Sequence, residues 1–154
     1  MEVRIPWKGF WHKPQHFSTN KNGDNNMKNK GEIYINAFGA GPATMRYHNE
    51  RDEILEIELN SCKEFINRFI IPRKTINTKY SSYGLKHFVE KWYWELPEDE
   101  RQTYSHYIAN GAFIKAMVEL GYKIRVDKNS PNPEFAFTWN QDGKNFMKSI
   151  GYSI

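Results

Sequence analysis

Asn110-Gly111-Ala112-Phe113-Ile114-Lys115-Ala116-Met117-Val118-Glu119-Leu120-Gly121, followed by Tyr122–Asp127 and then Glu134-Phe135-Ala136-Phe137-Thr138-Trp139, is the stretch on which the fold turns. In its first part Phe113, Ile114, Met117 and Leu120 recur at helical spacing, so a helix opening at Asn110 is predicted. Gly121 is placed to end that helix as a left-handed residue. The two segments after it read as a hairpin around Lys128-Asn129-Ser130-Pro131-Asn132-Pro133, with Phe135, Phe137 and Trp139 on one face. Helices followed by a two-stranded hairpin is the order of a winged helix-turn-helix. Such a fold would read DNA with Asn110–Glu119, but Lys115 and Glu119 beside small alanines make a thin reading surface. An α+β packing unit with no role in base reading accounts for the same order.

Upstream, Ser82 can cap a helix in which Leu85, Phe88, Val89 and Trp92 share a face. Leu96-Pro97-Glu98-Asp99-Glu100 looks like a further helix start, with proline in the first turn and acids at the positive end of the dipole. Ser61-Cys62-Lys63-Glu64 has the form of a capping box, and the helix after it would bury Cys62, Phe65, Ile66, Phe69 and Ile70 and stop at Pro72. Residues 73–80 are then a basic polar link. Before the capping box, alternation predicts strands at Glu32–Phe38, Ala43–His48 and Glu53–Leu59, joined by short turns as an antiparallel meander. The expected fold is therefore α+β. It has an N-terminal three-stranded antiparallel sheet with a helix (32–79), then a helical unit with a C-terminal β-hairpin (80–154). Residues 1–31 form an irregular aromatic arm ahead of both, and the whole can share one compact core.

The chain has 154 residues and a formal net charge of +4. That length suits one domain and buries enough surface to need no covalent staples. One cysteine, Cys62, excludes an internal disulfide framework and a cysteine-rich zinc site, and fits a reducing cytoplasm. No apolar run approaches the length of a membrane helix, and the N-terminus lacks the apolar core of a signal peptide. The net charge hides blocks of alternating sign: +4 over residues 1–30, −4 over 31–62, +5 over 63–91, −3 over 92–104 and +2 over 105–154. Such a chain can meet both signs of charge if the blocks stay apart in space.

Arg73, Lys74 and Lys79, with Lys86 and Lys91 one helix later, are the strongest basic patch. Hydroxyls and amides around them are the usual partners of phosphate, and Tyr80, Tyr83, Trp92 and Tyr93 could stack on bases. Lys115, Lys123, Arg125 and Lys128 extend the candidate nucleic-acid surface onto the last helix and hairpin. The opposite pole is the acidic segment Glu53, Glu56 and Glu58, able to face a basic protein or simply to keep an edge strand soluble. Trp7, Trp11, Trp92 and Trp94 are candidate interface anchors, since tryptophan dominates hot spots.

Catalytic signals are weak. His87 and Glu90 lie one helical turn apart and could do acid–base work, as ordinary helix-surface pairing could also explain. His12 and His16 have a helical metal spacing with Pro14 between them and no third ligand. Cys62 lies on an apolar helix face, where a buried thiol is expected. No nucleophile–base–orienter set is evident, so no catalytic residue, metal ligand or cofactor is expected.

Ser82-Tyr83-Gly84-Leu85-Lys86-His87-Phe88-Val89-Glu90, then Tyr107-Ile108-Ala109-Asn110-Gly111-Ala112-Phe113-Ile114, then Gly121-Tyr122 and Ser130-Pro131-Asn132, resembles a cassette in small proteins of phages, plasmids and integrated elements of Gram-positive bacteria. The resemblance covers residues 80–138 and carries over no functional residue. It implies an anti-CRISPR-type or anti-restriction inhibitor acting in the bacterial cytoplasm, with a Cas nuclease and its guide RNA as candidate partner. Within the cassette, Gly84 is expected to allow close packing, Asn110-Gly111 to open a helix and Ser130-Pro131-Asn132 to make the hairpin turn. The alternatives are a winged-helix-like DNA-binding regulator and a small hydrolase or nuclease using His87 and Glu90.

Overall fold

The computed structural model describes residues 3–6, 32–46 and 53–154. The chain is α+β, with two small antiparallel sheets and five α-helices among those residues. The first sheet holds β1 (Val3–Pro6), β2 (Glu32–Asn36) and β3 (Gly39–Ala40), in that order. A 3-10 helix, Pro42–Arg46, follows. Then come α1 (Glu56–Phe69), β4 (Ile70–Ser81), α2 (Ser82–Glu95), α3 (Glu98–Arg101) and α4 (Asn110–Glu119). The chain ends with β5 (Ile124–Arg125), β6 (Glu134–Trp139) and α5 (Gln141–Ser149). The second sheet has the order β4-β6-β5, so the hairpin is completed by a strand from the middle of the chain. No helix among the described residues is long and apolar enough to cross a membrane.

Several sequence expectations hold. β2 starts at Glu32 and β6 matches Glu134–Trp139. Leu85, Phe88, Val89 and Trp92 are the buried face of α2, and Gly121 ends α4 at φ +86°. The differences have physical causes. Ala43–His48 was expected as a strand, but Pro42 opens a 3-10 helix there, in which the Thr44 hydroxyl donates to Asn36 Oδ1 at 2.7 Å; residues 47–48 lie outside the described residues. Glu53–Leu59 was also expected as a strand. Here the helical period that joins Leu59 to Cys62, Phe65 and Ile66 prevails, and α1 begins at Glu56. The third strand of the first sheet is instead β1, pairing Val3 with Ile35 and Ile5 with Ile33.

The helix start is displaced with it. Glu58, not Glu64, reaches back to an N-cap, accepting from the Leu55 N–H at 3.4 Å. Ser61 is inside the helix, where its hydroxyl donates to Ile57 O at 2.7 Å. α1 ends at Phe69, three residues before Pro72, and the expected polar link is the twelve-residue β4. Its ladder with β6 is irregular between Pro72 and Asn77 and again between Asn77 and Ser81, so the strand bulges where its cations lie. Ala109 is the N-cap of α4, one residue before Asn110. The first hairpin strand is only Ile124–Arg125. A Cβ at Gly84 would meet nothing within 4 Å, so no close packing requires that glycine.

One hydrophobic cluster runs through both sheets and helices α1, α2, α4 and α5. Phe65 lies at its centre, edge-on to Phe69, Trp92, Trp139 and Phe146. The Tyr122 hydroxyl donates to Ile70 O at 3.1 Å, and burial pushes this phenol up to about 12. The first sheet joins the rest at a tight seam. Gly111 N–H donates to Ala37 O at 3.1 Å, and a Cβ on Gly111 would come within 1.8 Å of Asn36 O. The hairpin turn closes the same seam, because Pro131 O accepts from Ala40 N–H at 3.0 Å.

Candidate functional site

The segment between α3 and α4 is held by side chains from two helices. Ser61 Oγ, on α1, accepts from the Ser105 N–H at 2.9 Å. Glu90 Oε1, on α2, accepts from the Ile108 N–H at 3.1 Å, and Glu58 Oε1, on α1, accepts from the Ala109 N–H at 3.3 Å. Two buried or part-buried carboxylates thus satisfy consecutive backbone donors at the positive end of α4. This is the work of Glu58, which is fully buried and so cannot face a partner; the expectation of an interface acid is corrected for it. Glu53 and Glu56 are exposed.

Glu90 also organises the charged group beside it. It accepts from Lys86 Nζ at 3.1 Å and from His87 Nδ1 at 2.6 Å. An ionised carboxylate can only accept, so His87 Nδ1 is the donor in this bond. Burial pushes the Glu90 carboxyl up. The Ile108 N–H, His87 and Lys86 together outweigh that, and it titrates below its ordinary value. Lys86 is only 6% exposed, with its ammonium 5.3 Å from the Tyr83 ring centre and 5.2 Å from that of Tyr107. Lys86 is therefore not a free phosphate contact, as its sequence position suggested, but the buried half of an ion pair.

These residues wall a cavity of about 670 Å³, lined also by His106, Asn110 and, from the turn after β2, Ala37 and Phe38. Asn110 fastens that turn, donating from Nδ2 to Phe38 O at 2.7 Å and to Asn132 Oδ1 at 2.8 Å. Tyr83 is 52% exposed and Tyr107 46%. The His87–Glu90 pair can take or give a proton at Nε2, but among the described residues the lining holds no serine, threonine or cysteine to attack a substrate. Cys62 is fully buried. Burial pushes its thiol well up, and Glu58 and Glu90 push the same way against Lys86. His106 and Tyr107 belong to this site and carry no periodic signal in the sequence, because they lie between helices. Among the described residues no group of three or more His, Cys, Asp or Glu could hold a metal ion; His12 and His16 lie outside them.

The remaining cations divide sharply. Lys115 pairs with Glu119 at 3.8 Å, and Arg125 pairs with Glu134. Among the described residues no carboxylate pairs with Arg73, Lys74, Lys79, Lys91, Lys123 or Lys128. Arg73 folds back onto Thr75 O at 2.9 Å and Ile76 O at 3.0 Å, arching the β4 bulge. Lys123 Nζ reaches Lys74 O at 3.1 Å. Lys79 Nζ reaches Ser153 O at 3.3 Å, and Lys91 sits 5.0 Å over the Tyr152 ring. β4 thus gathers cations from the hairpin on one side and from α2 through the 152–153 segment on the other.

The reading helix of a winged helix must lie exposed, and α4 does not. Asn110 through Ile114 and Ala116 through Val118 are all buried. Trp92 is 3% exposed and belongs to the core rather than to an interface, whereas Trp94 is 59% exposed with Arg101 stacked 5.3 Å over its ring. Trp7 and Trp11 lie outside the described residues. Compared with protein-family models, with curated proteins and with solved structures, the chain matches none of them significantly.

Proposed function

We propose that the chain is a non-enzymatic binding protein of a mobile element that inhibits a host nucleic-acid-targeting complex, with a Cas nuclease and its guide RNA as the concrete candidate. The observation that carries this reading is the group of cations that have no carboxylate partner among the described residues: Arg73, Lys74 and Lys79 on β4, with Lys123 and Lys91 beside it. Unpaired surface cations contribute little to folding but bind phosphate by releasing counterions. Exposed Glu53 and Glu56, with Trp94, supply surface of the other kind, suited to the basic protein part of a nucleoprotein. The burial of α4 supports a contact through backbone phosphate over one through base edges.

The test is capture of purified nuclease complexes of bacterial defence systems on the immobilised chain, followed by cleavage assays. The expected result is one retained complex whose cleavage is abolished, while the chain alone leaves DNA and RNA intact. Removing Lys74 or Lys79 should lower the slope of log affinity against log salt by about 0.7–0.9 each. An affinity that ignores salt, or capture of no complex, overturns the proposal.

A further inference from the structure

The cavity beside the Lys86–Glu90 pair has features that the surface cations do not explain. At its rim Tyr83 is 52% and Tyr107 46% exposed, which presents aromatic surface to solvent beside charged and polar groups. Each is held in place by the same buried ammonium, Lys86, which is locked in turn by Glu90. His87 is fixed edge-on to Tyr83, with ring centres 4.7 Å apart at 88°, and its Nδ1 donates to Glu90. The result is a pair of rings held beside a lining that also includes His87, His106 and Asn110.

We propose that this cavity binds one unpaired nucleotide of RNA or single-stranded DNA, its base stacked on Tyr83 or Tyr107 and its edge read by His87 and His106. The inference rests on the nucleic-acid part of the function proposed above and names the site where a base, rather than the backbone, is held. About 670 Å³ is ample for one nucleotide. Every base offers a π-face, so the site is tolerant of sequence unless the imidazoles choose among edges. An aromatic side chain of a partner protein would cover His87 Nε2 without offering it a hydrogen bond, which burial of polar groups disfavours.

The experiment is a titration of the chain with 5′-UMP and 5′-AMP, followed through the ring-proton resonances of His87 and His106. Ribose 5-phosphate, inorganic phosphate and N-acetyltryptophanamide are the comparison probes. The nucleotides should shift both histidines saturably, and the three comparison probes should not. Removing the stacking ring should weaken binding by about 5- to 150-fold in at least one of Tyr83→Ala and Tyr107→Ala, while Tyr83→Phe retains it, and undiminished binding in both overturns the site. Thermal melts of each variant show whether the fold is kept, and Tyr83→Phe serves as the folded reference. No saturable shift up to about 10 mM nucleotide overturns the site, since that leaves less than millimolar affinity. Equal shifts with ribose 5-phosphate or phosphate would make it an anion site. A shift with N-acetyltryptophanamide alone would make it a protein-docking site. Either result overturns the proposal. If nuclease capture fails while UMP binds, the proposed inhibition falls and the nucleotide site stands. The converse removes the site alone.

Discussion

The wall formed by α2 and the cation strip along β4 are built from the same residue types and treat them in opposite ways. On α2, Lys86 is withdrawn from water, paired to Glu90 and enclosed by two tyrosines. On β4, Lys74 and Lys79 are exposed and unpaired by carboxylate among the described residues. The first arrangement shapes a cavity and holds the entry to α4, so its charges are structural before they are anything else. The second contributes little to the fold and is free for a partner. Basic residues that are neighbours in the sequence therefore cannot be pooled into one patch.

The sharpest contrast lies within α2 and its end. Trp92→Ala removes a core ring and should destabilise the chain by about 3–5 kcal/mol, whereas Trp94→Ala should cost under about 1 kcal/mol. Chemical denaturation of both variants checks this, and equal losses would break the distinction between core and surface tryptophan. Next, Glu90→Gln strands the Lys86 ammonium and loosens the Ile108 N–H. A loss of about 3 kcal/mol is expected, lowering the melting temperature by roughly 6–12 °C. Because folding holds the Glu90 carboxyl below its ordinary value, its contribution is complete above the ordinary carboxylate range and is lost as pH falls through that range and lower. The gap between wild type and Glu90→Gln should therefore narrow below about pH 4.3. A gap independent of pH would show that the ion pair does not hold the wall.

On the strip, Lys74→Ala and Lys79→Ala should each change stability by less than about 0.5 kcal/mol in denaturant melts. A larger loss would place these lysines with the structural charges. Opposite in sign, Gly84→Ala on the open side of α2 should stabilise by about 0.5–1 kcal/mol, since alanine favours helix and nothing lies within 4 Å of the added methyl. Destabilisation there would mean the cavity wall is tighter than its geometry shows.

Local patterns in the sequence determined the buried face of α2, the extent of β6 and the stop at Gly121, because each depends on neighbours within a few residues. Even there, the pattern was ambiguous where it was short. Seven residues from Glu53 to Leu59 alternate well enough for a strand, and only packing of Leu59, Cys62, Phe65 and Ile66 into one core makes them the start of a helix. α5 escaped notice because Asn140, which caps it by accepting from the Gly143 N–H at 2.8 Å, follows directly on a strand. Tertiary structure alone decided what the charges do. Glu58 and Glu90 meet Ala109 and Ile108 across 51 and 18 residues of chain, and no local pattern encodes such a bond. The composition supplied the cations. Burial at α2 and exposure along β4 decided which of them hold the protein together and which remain free to meet a partner.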